Sequence, residues 1–117
     1  MTAPAPLCRL ADLSDPGSTA FTVERDGERI AIMVIRRGNR VFGWVNSCPH
    51  AWVPLDIEPG QFLDLVTGSE ILCANHGARF EVETGFCVLG PCKGKRLAPY
   101  PVAVREGMVV AVDSPVL

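Results

Sequence analysis

Short runs rich in β-branched and aromatic residues recur along this chain, and no long stretch keeps the spacing of an amphipathic helix. Turn-forming sequences such as "RDGE", "RRGN", "ETG" and "REG" separate the runs. Runs of this kind between turns predict β-strands. We expect the strands at Thr19–Glu24, Arg29–Arg36, Arg40–Val45, Ala78–Val82, Pro101–Arg105 and Met108–Val112.

The short turns between these runs predict three hairpins. The strand at 19–24 pairs with that at 29–36, the latter pairs with 40–45 through a turn at Gly38–Asn39, and 101–105 pairs with 108–112. Antiparallel strands at this spacing are typical of a small sandwich or barrel. The sequence therefore predicts an all-β fold in a single domain, 1–117, with a loose start at residues 1–6.

Charge and hydrophobicity limit the possible partners. The formal net charge is −2, and the Lys and Arg residues are scattered, which argues against nucleic acid or an anionic membrane as the main partner. The apolar run "IAIMVI" at 30–35 is far too short to span a bilayer, and the first residues lack the features of a signal peptide. We expect a cytoplasmic protein.

Five cysteines in such a chain are expected to be thiols or metal ligands rather than a disulfide framework. They are Cys8, Cys48, Cys73, Cys87 and Cys92. Nothing chemical surrounds Cys8, so it is interpreted as a packing residue. Cys87 and Cys92 flank "VLGP" and are also interpreted as packing, with a disulfide between them as the alternative.

The two histidines of the chain each stand beside a cysteine, in "SCPHAW" and "ILCANHGARF". Cys48 and His50 follow one predicted strand, and Cys73 and His76 follow the short run "EIL". Thiolate and imidazole suit zinc, copper and iron–sulfur clusters. Zinc sites usually pair like ligands in one knuckle, whereas here each loop offers one ligand of each type. That division fits a [2Fe–2S] cluster with two thiolates on one iron and two imidazoles on the other.

The pattern C-x-H followed by C-x-x-H-G resembles the Rieske family. Pro54–Leu55, "ARF" after the second loop and Gly90–Pro91 also fall where members of that family have them, so the resemblance covers nearly the whole chain. It implies a Rieske-like fold whose cluster-binding subdomain has loops at about 46–55 and 73–80 and a proline loop at about 90–96. Residues 56–70 are longer than in small ferredoxins of the family, and we expect an insertion or an extended hairpin there.

The resemblance also implies the ligands of one [2Fe–2S] cluster per chain. Cys48 and Cys73 would bind the inner iron, and His50 and His76 the outer iron. Gly77, Ala78, Phe80, Pro91 and Trp52 would surround the cluster and tune it, although Trp52 fits a simple packing role equally well.

High-potential relatives place Ser and Tyr hydroxyls after the second loop, where this chain has Ala78 and Phe80. Hydroxyl donors near the sulfurs favour the reduced state, so their absence predicts a potential at the low end of the Rieske range, about −150 mV.

The sequence offers no catalytic residues of its own. Both histidines are used by the cluster motif, so no two-histidine, one-carboxylate iron site can form, and no dinucleotide or Walker motif is present. The resemblance implies a one-electron carrier between a flavin-dependent reductase and a terminal oxygenase, as in aromatic-ring-hydroxylating dioxygenase systems. The alternatives are a Rieske subunit of another oxidoreductase, such as nitrite reductase, and a zinc-stabilised interaction module.

Charge along the chain is uneven near the predicted site. Residues 51–72 contain Asp56, Glu58, Asp64 and Glu70 and no Lys or Arg, whereas Lys93, Lys95 and Arg96 lie together by the proline loop. Both groups fit either docking surfaces or ordinary solvated loops.

Overall fold

Nine antiparallel β-strands form three sheets in the residues that the structure, a computed structural model, describes: 6–49, 54–56, 58, 60–64, 68–74 and 77–112. The strands are β1 (Pro6–Arg9), β2 (Gly17–Arg25), β3 (Glu28–Arg37), β4 (Arg40–Val45), β5 (Glu70–Leu72), β6 (Arg79–Glu81), β7 (Cys87–Leu89), β8 (Val102–Arg105) and β9 (Met108–Ala111). A single 3₁₀ turn, Leu10–Asp12, follows β1. No helix in these ranges is long and apolar enough to cross a membrane. The all-β prediction is confirmed.

The sheet β2–β3–β4 is built from two successive hairpins, and both were predicted. Strand β2 pairs with β3 along its whole length, from Gly17 opposite Arg36 to Arg25 opposite Glu28. Strand β3 pairs with β4, and the turn between them is at Gly38–Asn39 as expected. Strands β2 and β3 are longer than predicted at both ends, because their polar terminal residues still pair across the hairpin.

The sheet β1–β9–β8 contains the third predicted hairpin, β8–β9. Strand β1 was not predicted, since residues 1–6 were expected to be loose and Pro6 already belongs to the strand. It pairs with β9, and Cys8 lies opposite Val109 there. Cys8 is half-buried against the apolar residues of this sheet, which agrees with a packing role.

These two sheets are joined where β4 meets residues 98–100. The Val45 amide donates to the Ala98 carbonyl at 2.8 Å, and the Tyr100 amide donates to the Gly43 carbonyl at 3.0 Å. Residues 6–45 and 98–112 therefore form one body, called the base below. The remaining residues, 46–97, leave β4 and return beside it, and are called the inserted segment.

The inserted segment carries the third sheet, β5–β6–β7. Residues 62–64 pair with β5, with the Leu72 amide donating to the Phe62 carbonyl at 2.7 Å and the Asp64 amide donating to the Glu70 carbonyl at 2.9 Å. The described residues of 56–70 therefore include a short antiparallel pairing with β5, and the choice between an insertion and an extended hairpin stays a prediction. Strand β6 is shorter than the predicted 78–82, and β7 was not predicted.

Strand β3 contributes to two cores, because successive side chains of a strand point to opposite faces. Ile32 and Val34 join the base core with Leu13, Tyr100 and Val109. Met33 and Ile35 point the other way, into a core shared with the inserted segment. Residues 32–35, the last four of the apolar run "IAIMVI", are buried on both faces in this way.

Trp44 of β4 fixes the inserted segment to the base. Its indole Nε1 donates to the Val82 carbonyl at 3.1 Å, and its side chain is only 5% exposed. Gly85, in the turn between β6 and β7, lies against the indole, where a Cβ would come within 2.8 Å of the ring. The third sheet therefore rests on the outer face of β4.

Candidate metal centre

The first loop begins directly after β4 and contains Cys48, whose side chain is fully buried. The side chain of Asn46 bridges the described part of this loop, because the oxygen and the nitrogen of its amide each form a hydrogen bond. Its Oδ1 accepts from the Leu55 amide at 2.8 Å, and its Nδ2 donates to Asp56 Oδ1 at 2.9 Å. The carboxylate of Asp56 in turn accepts from the Gly60 amide at 2.9 Å. One side chain thus connects the start of the loop to its end.

The second loop begins after β5 with Cys73, which is 1% exposed. The Cys73 amide donates to the Ala78 carbonyl at 2.8 Å, and the Gly77 amide donates to the Cys73 carbonyl at 2.9 Å. Gly77 has φ +70°, a conformation that residues with a Cβ rarely adopt. This local closure places Cys73 at the base of a tight loop.

The two loops are hydrogen-bonded to each other. The Ala74 amide, next to Cys73, donates to the Leu55 carbonyl at 2.8 Å, and Leu55 is itself held by Asn46. Cys48 and Cys73 belong to the same buried core cluster. The structure therefore brings the two predicted cysteine ligands into one apolar region, one from each loop.

His50, Trp52 and His76 lie outside the described residues. Within the described ranges, no three His, Cys, Asp or Glu side chains form a group that could hold a metal ion. The two cysteines thus account for half of the predicted ligand set. Their buried thiols, each followed in sequence by a histidine, are a donor set that suits a soft metal or an iron–sulfur cluster.

The proline loop, predicted at 90–96, packs against the second loop. Gly90 has φ +105°, and a Cβ there would lie 2.8 Å from the Ala78 Cα. The Lys95 amide donates to the Cys92 carbonyl at 2.8 Å, and the Cys87 amide donates to the Lys95 carbonyl at 2.9 Å. Pro91 is exposed at the tip of the loop. The close approach at Gly90 brings Cys92, two residues further on, into the core beside the loops.

Two thiols meet in that core. Cys92 Sγ donates to Cys87 Sγ at 3.2 Å, and Cys87 Sγ donates to the Leu89 carbonyl at 3.2 Å, so the pair is hydrogen-bonded rather than joined by a disulfide. Cys48 belongs to the same buried core cluster. Burial, followed by the hydrogen bond and charge of Cys87 and then the charge and hydrogen bond of Cys48, raises the pKa of Cys92 to about 12.

Cys87 and Cys92 are buried in the core as free thiols, 5% and 0% exposed, which agrees with the packing interpretation and not with the alternative of a disulfide.

Ala78 and Phe80 are fully buried, each 0% exposed, directly after the second loop. The Ala78 side chain faces Gly90 of the proline loop so closely that a Cβ on that glycine would lie 3.2 Å from the Ala78 Cβ. Neither side chain can donate a hydrogen bond. The two positions that lack hydroxyl donors therefore lie in the protein interior and not on its surface.

The acidic residues of 51–72 are largely engaged within the protein. Arg79 of β6 donates to Glu70 at 2.7 Å and to Asp64 at 3.0 Å, which raises the pKa of the arginine. Asp56 is held by Asn46 and Gly60. Of the four predicted acidic residues only Glu58 is exposed, so this stretch is chiefly structural and the docking interpretation loses its support.

An apolar patch lies on β7 and on the residue before it, beside the proline loop. Phe86, Val88 and Leu89 are 47%, 38% and 57% exposed, and they are the exposed large hydrophobic side chains of the described residues. Lys93 and Lys95 are exposed next to them, and the Arg96 guanidinium lies 5.3 Å from the centre of the Phe86 ring. Apolar surface with a basic border is typical of a docking site.

The chain is similar to several solved ferredoxins. The chain is 31% identical to the ferredoxin of carbazole 1,9a-dioxygenase from Nocardioides aromaticivorans IC177, with a TM-score of 0.74 over 97% of this chain and 100% of that one. It is 29% identical to the Sphingomonas yanoikuyae B1 ferredoxin, with a TM-score of 0.69 over 97% of this chain and 100% of that one. A ferredoxin solved in complex with the oxygenase of carbazole 1,9a-dioxygenase is 29% identical, with a TM-score of 0.70 over 92% of this chain and all of that one.

A more distant structure, a putative nitrite reductase small subunit, is 18% identical with a TM-score of 0.66, and shows the shared fold alone. No curated protein matches the sequence. The family model described as the Rieske [2Fe-2S] domain matches residues 3–111, nearly the whole chain. The protein therefore belongs to the Rieske [2Fe-2S] domain family, and its cofactor is a [2Fe–2S] cluster.

Proposed function

We propose that this protein is a low-potential Rieske ferredoxin of the cytoplasm. It carries single electrons from a flavin-dependent reductase to the terminal oxygenase of an aromatic-ring-hydroxylating system. The main support is the burial of Cys48 and Cys73 on two hydrogen-bonded loops, in a chain that aligns with all of a dioxygenase ferredoxin. The cluster supplies reversible one-electron chemistry when bound. The nitrite reductase relationship rests on fold alone and adds no second candidate.

The proposed ligands are Cys48 and Cys73 for the inner iron, and His50 and His76 for the outer iron. Cys48 and Cys73 hold their thiolates away from water, in the core between the loops and β3. This arrangement keeps the thiolate ligands out of reach of exchange with solvent thiols. The proline loop closes over the same core from the side of Ala78.

The cofactor and its ligands can be tested together. The purified protein should be red-brown, contain iron and acid-labile sulfide in equal amounts, and give a rhombic EPR signal after reduction. Cys48→Ser and Cys73→Ser should each lose the visible absorption, whereas Cys8→Ser, which changes a cysteine of the base, should keep it. A colourless protein with one zinc per chain would instead show an interaction module.

The potential is the second part of the proposal. With Ala78 and Phe80 in place of hydroxyl donors, the midpoint should lie at the low end of the family range, about −150 mV. The double variant Ala78→Ser, Phe80→Tyr should raise the midpoint, because donors to sulfur stabilise the reduced state. Phe42→Tyr adds a hydroxyl at a half-buried position of β4 and serves as the control. A native midpoint well above zero would contradict the proposal.

The docking face for the oxygenase is proposed to be the apolar patch of Phe86, Val88 and Leu89 with its basic border. It adjoins the proline loop, so a partner bound there would lie close to the cluster loops. The rate of electron transfer to the oxygenase should fall as ionic strength rises, because Lys93 and Lys95 steer the encounter. Lys93→Glu with Lys95→Glu should lower that rate more than Arg29→Glu, which reverses an exposed charge at the far end of the β2–β3 hairpin.

A further inference from the structure

Cys87 and Cys92 form a pair of neighbouring thiols between strand β7 and the proline loop. Cys92 Sγ donates to Cys87 Sγ at 3.2 Å, and both residues are free cysteines. A disulfide bond joins two sulfurs that are about 2.05 Å apart. The two sulfurs therefore need to approach each other by only about 1 Å to form a bond.

The backbone keeps the two cysteines side by side. The Cys87 amide donates to the Lys95 carbonyl at 2.9 Å, and the Lys95 amide donates to the Cys92 carbonyl at 2.8 Å. Lys95 therefore connects both cysteines to the same point of the proline loop. At the start of that loop Gly90 packs against Ala78, where a Cβ on the glycine would lie 2.8 Å from the Ala78 Cα. The short distance between the sulfurs is thus a product of the fold and not of two freely moving side chains.

The hydrogen bonds of the two thiols oppose a disulfide only weakly. The thiol hydrogen of Cys92 goes to the sulfur with which the new bond would form, so its loss deprives no other group of a donor. The thiol hydrogen of Cys87 goes to the Leu89 carbonyl at 3.2 Å. Leu89 lies at the surface with its side chain 57% exposed, so water can take the place of the thiol, which is a weak donor.

Of the two sulfurs, Cys87 is the one that an oxidant reaches first. Cys87 is 5% exposed and is followed in β7 by the exposed Val88, whereas Cys92 is 0% exposed. Buried thiols react slowly, so the reaction requires local opening of the inserted segment, whose three strands are short. Cys8 packs in the other core cluster, in the base, and serves as a reference thiol outside the pair.

We propose that Cys87 and Cys92 are a reversible dithiol–disulfide couple that reacts with low-molecular-weight disulfides. The Cys87 thiolate attacks one sulfur of the small disulfide, which forms a mixed disulfide and releases one thiolate. The Cys92 thiolate then attacks the Cys87 sulfur and releases the second thiolate. The two cysteines thereby lose two electrons and two protons, and the small disulfide is reduced to two thiols. The product closes residues 87–92 into a covalent ring that fixes the proline loop to β7.

The test equilibrates the native, loaded protein with mixtures of reduced and oxidised glutathione. After the free thiols are blocked with N-ethylmaleimide, trypsin cleaves after Arg79 and Lys93 and releases both cysteines in one peptide, 80–93. In mass spectrometry the disulfide form of this peptide carries no maleimide and is two hydrogens lighter than the unblocked dithiol. The synthetic peptide 80–93, which lacks the fold, is the control in the same buffers.

The equilibrium constant for disulfide formation should be at least about tenfold larger in the protein than in the synthetic peptide, because the fold raises the effective concentration of one thiol near the other. A constant equal to or below that of the peptide would overturn the inference. A native protein that ends as the mixed disulfide of Cys87 with glutathione, or that links Cys87 to a different cysteine, would overturn it too. Cys8 and the Cys87 of the variant Cys92→Ser should go no further than the mixed disulfide.

The effect on the proline loop has its own measurement. The rate of cluster loss in urea, followed by visible absorption, should be severalfold lower for the oxidised couple than for the reduced one, because a disulfide restrains the opened chain. Cys8→Ser should show the same ratio of rates, and equal rates for both forms would overturn the proposed fixing of the loop. Neither cysteine is a proposed cluster ligand. A protein without iron and sulfide would therefore overturn the ligand proposal, while the peptide measurement would still decide this inference.

Discussion

Strands β2, β3 and β4 of the base have six to ten residues and pair in continuous register, whereas the three strands of the inserted segment have three residues each. The base is therefore stabilised mainly by backbone ladders and by the alternating faces of β2, β3 and β4. The inserted segment depends on side chains that reach across loops, chiefly Asn46, Trp44 and Arg79. Short strands are weak by themselves, so this part needs such contacts and its cofactor to remain folded.

Removal of iron should give the largest difference between the two regions. Metal binding contributes folding free energy to the part of the chain that holds the ligands. In the iron-free protein, amide hydrogen exchange in β5–β7 should approach the rate of an unfolded chain, while β2–β4 stay protected. Equal loss of protection in both regions would show that the inserted segment does not unfold independently.

Asn46→Ala should be the most damaging single change among the structural contacts. It removes the acceptor of the Leu55 amide and the donor to Asp56, at a half-buried position, and should cost about 2 kcal/mol. The rate of cluster loss in urea, followed by visible absorption, should rise accordingly. Asn39→Ala, in the exposed β3–β4 turn of the base, is the control, and a similar rate for both variants would contradict the role given to Asn46.

Gly90→Ala tests the close approach of the proline loop. A Cβ at Gly90 meets Ala78 Cα at 2.8 Å, whereas at Gly94, which also has positive φ at +92°, nothing lies within 4 Å. Both variants carry the same kind of backbone strain, so their difference isolates the clash, which should cost about 1–2 kcal/mol. Urea unfolding of the loaded protein measures it. Equal free energies of unfolding for the two variants would mean that the proline loop accommodates the added methyl group without loss of stability.

Arg79→Ala should have the smallest effect. The side chain is 34% exposed and joins Glu70 and Asp64, so solvent screens the ion pairs and the loss of stability should be slight. Arg40→Ala breaks an ion pair with Glu83 of similar length, at 2.8 Å, but at a side chain that is 68% exposed. Thermal unfolding at low and high salt should show a salt-dependent decrease of Tm for Arg79→Ala and nearly no decrease for Arg40→Ala. An identical salt dependence of the unfolding temperature in the two variants would show that Arg79 does not stabilise the inserted segment.

The sequence predicted the base better than the inserted segment, for a physical reason. Strands β2, β3 and β4 are long enough to show their pattern and are bounded by turns with strong signals, so the hairpins were correct to within a few residues. A strand of three residues such as β7 is too short to show a period, and β1 begins with a proline. The pairing of these strands depends on distant partners that no local pattern contains.

The candidate site was likewise predictable from the sequence only in part. The cysteine positions followed from motif spacing, and the structure brings Cys48 and Cys73 into one core. The roles of His50 and His76 as ligands stay predictions. The sequence did not indicate that Asn46 connects the start and the end of the first loop, or that Arg79 forms ion pairs with Asp64 and Glu70. Each of these contacts joins residues that are separated by a loop.

The hydrogen bond between the Val45 amide and the Ala98 carbonyl has a consequence for engineering. It holds the two ends of residues 46–97 side by side, so the base has already met the entropic cost of closing that long loop. Because its two ends are adjacent, the segment can be inserted into another β-sheet protein. Any such protein with two neighbouring strands at this spacing offers the same attachment points. The recipient protein should also have an equivalent of Trp44 and an apolar face like that of Met33 and Ile35, since the segment packs against these residues of the base.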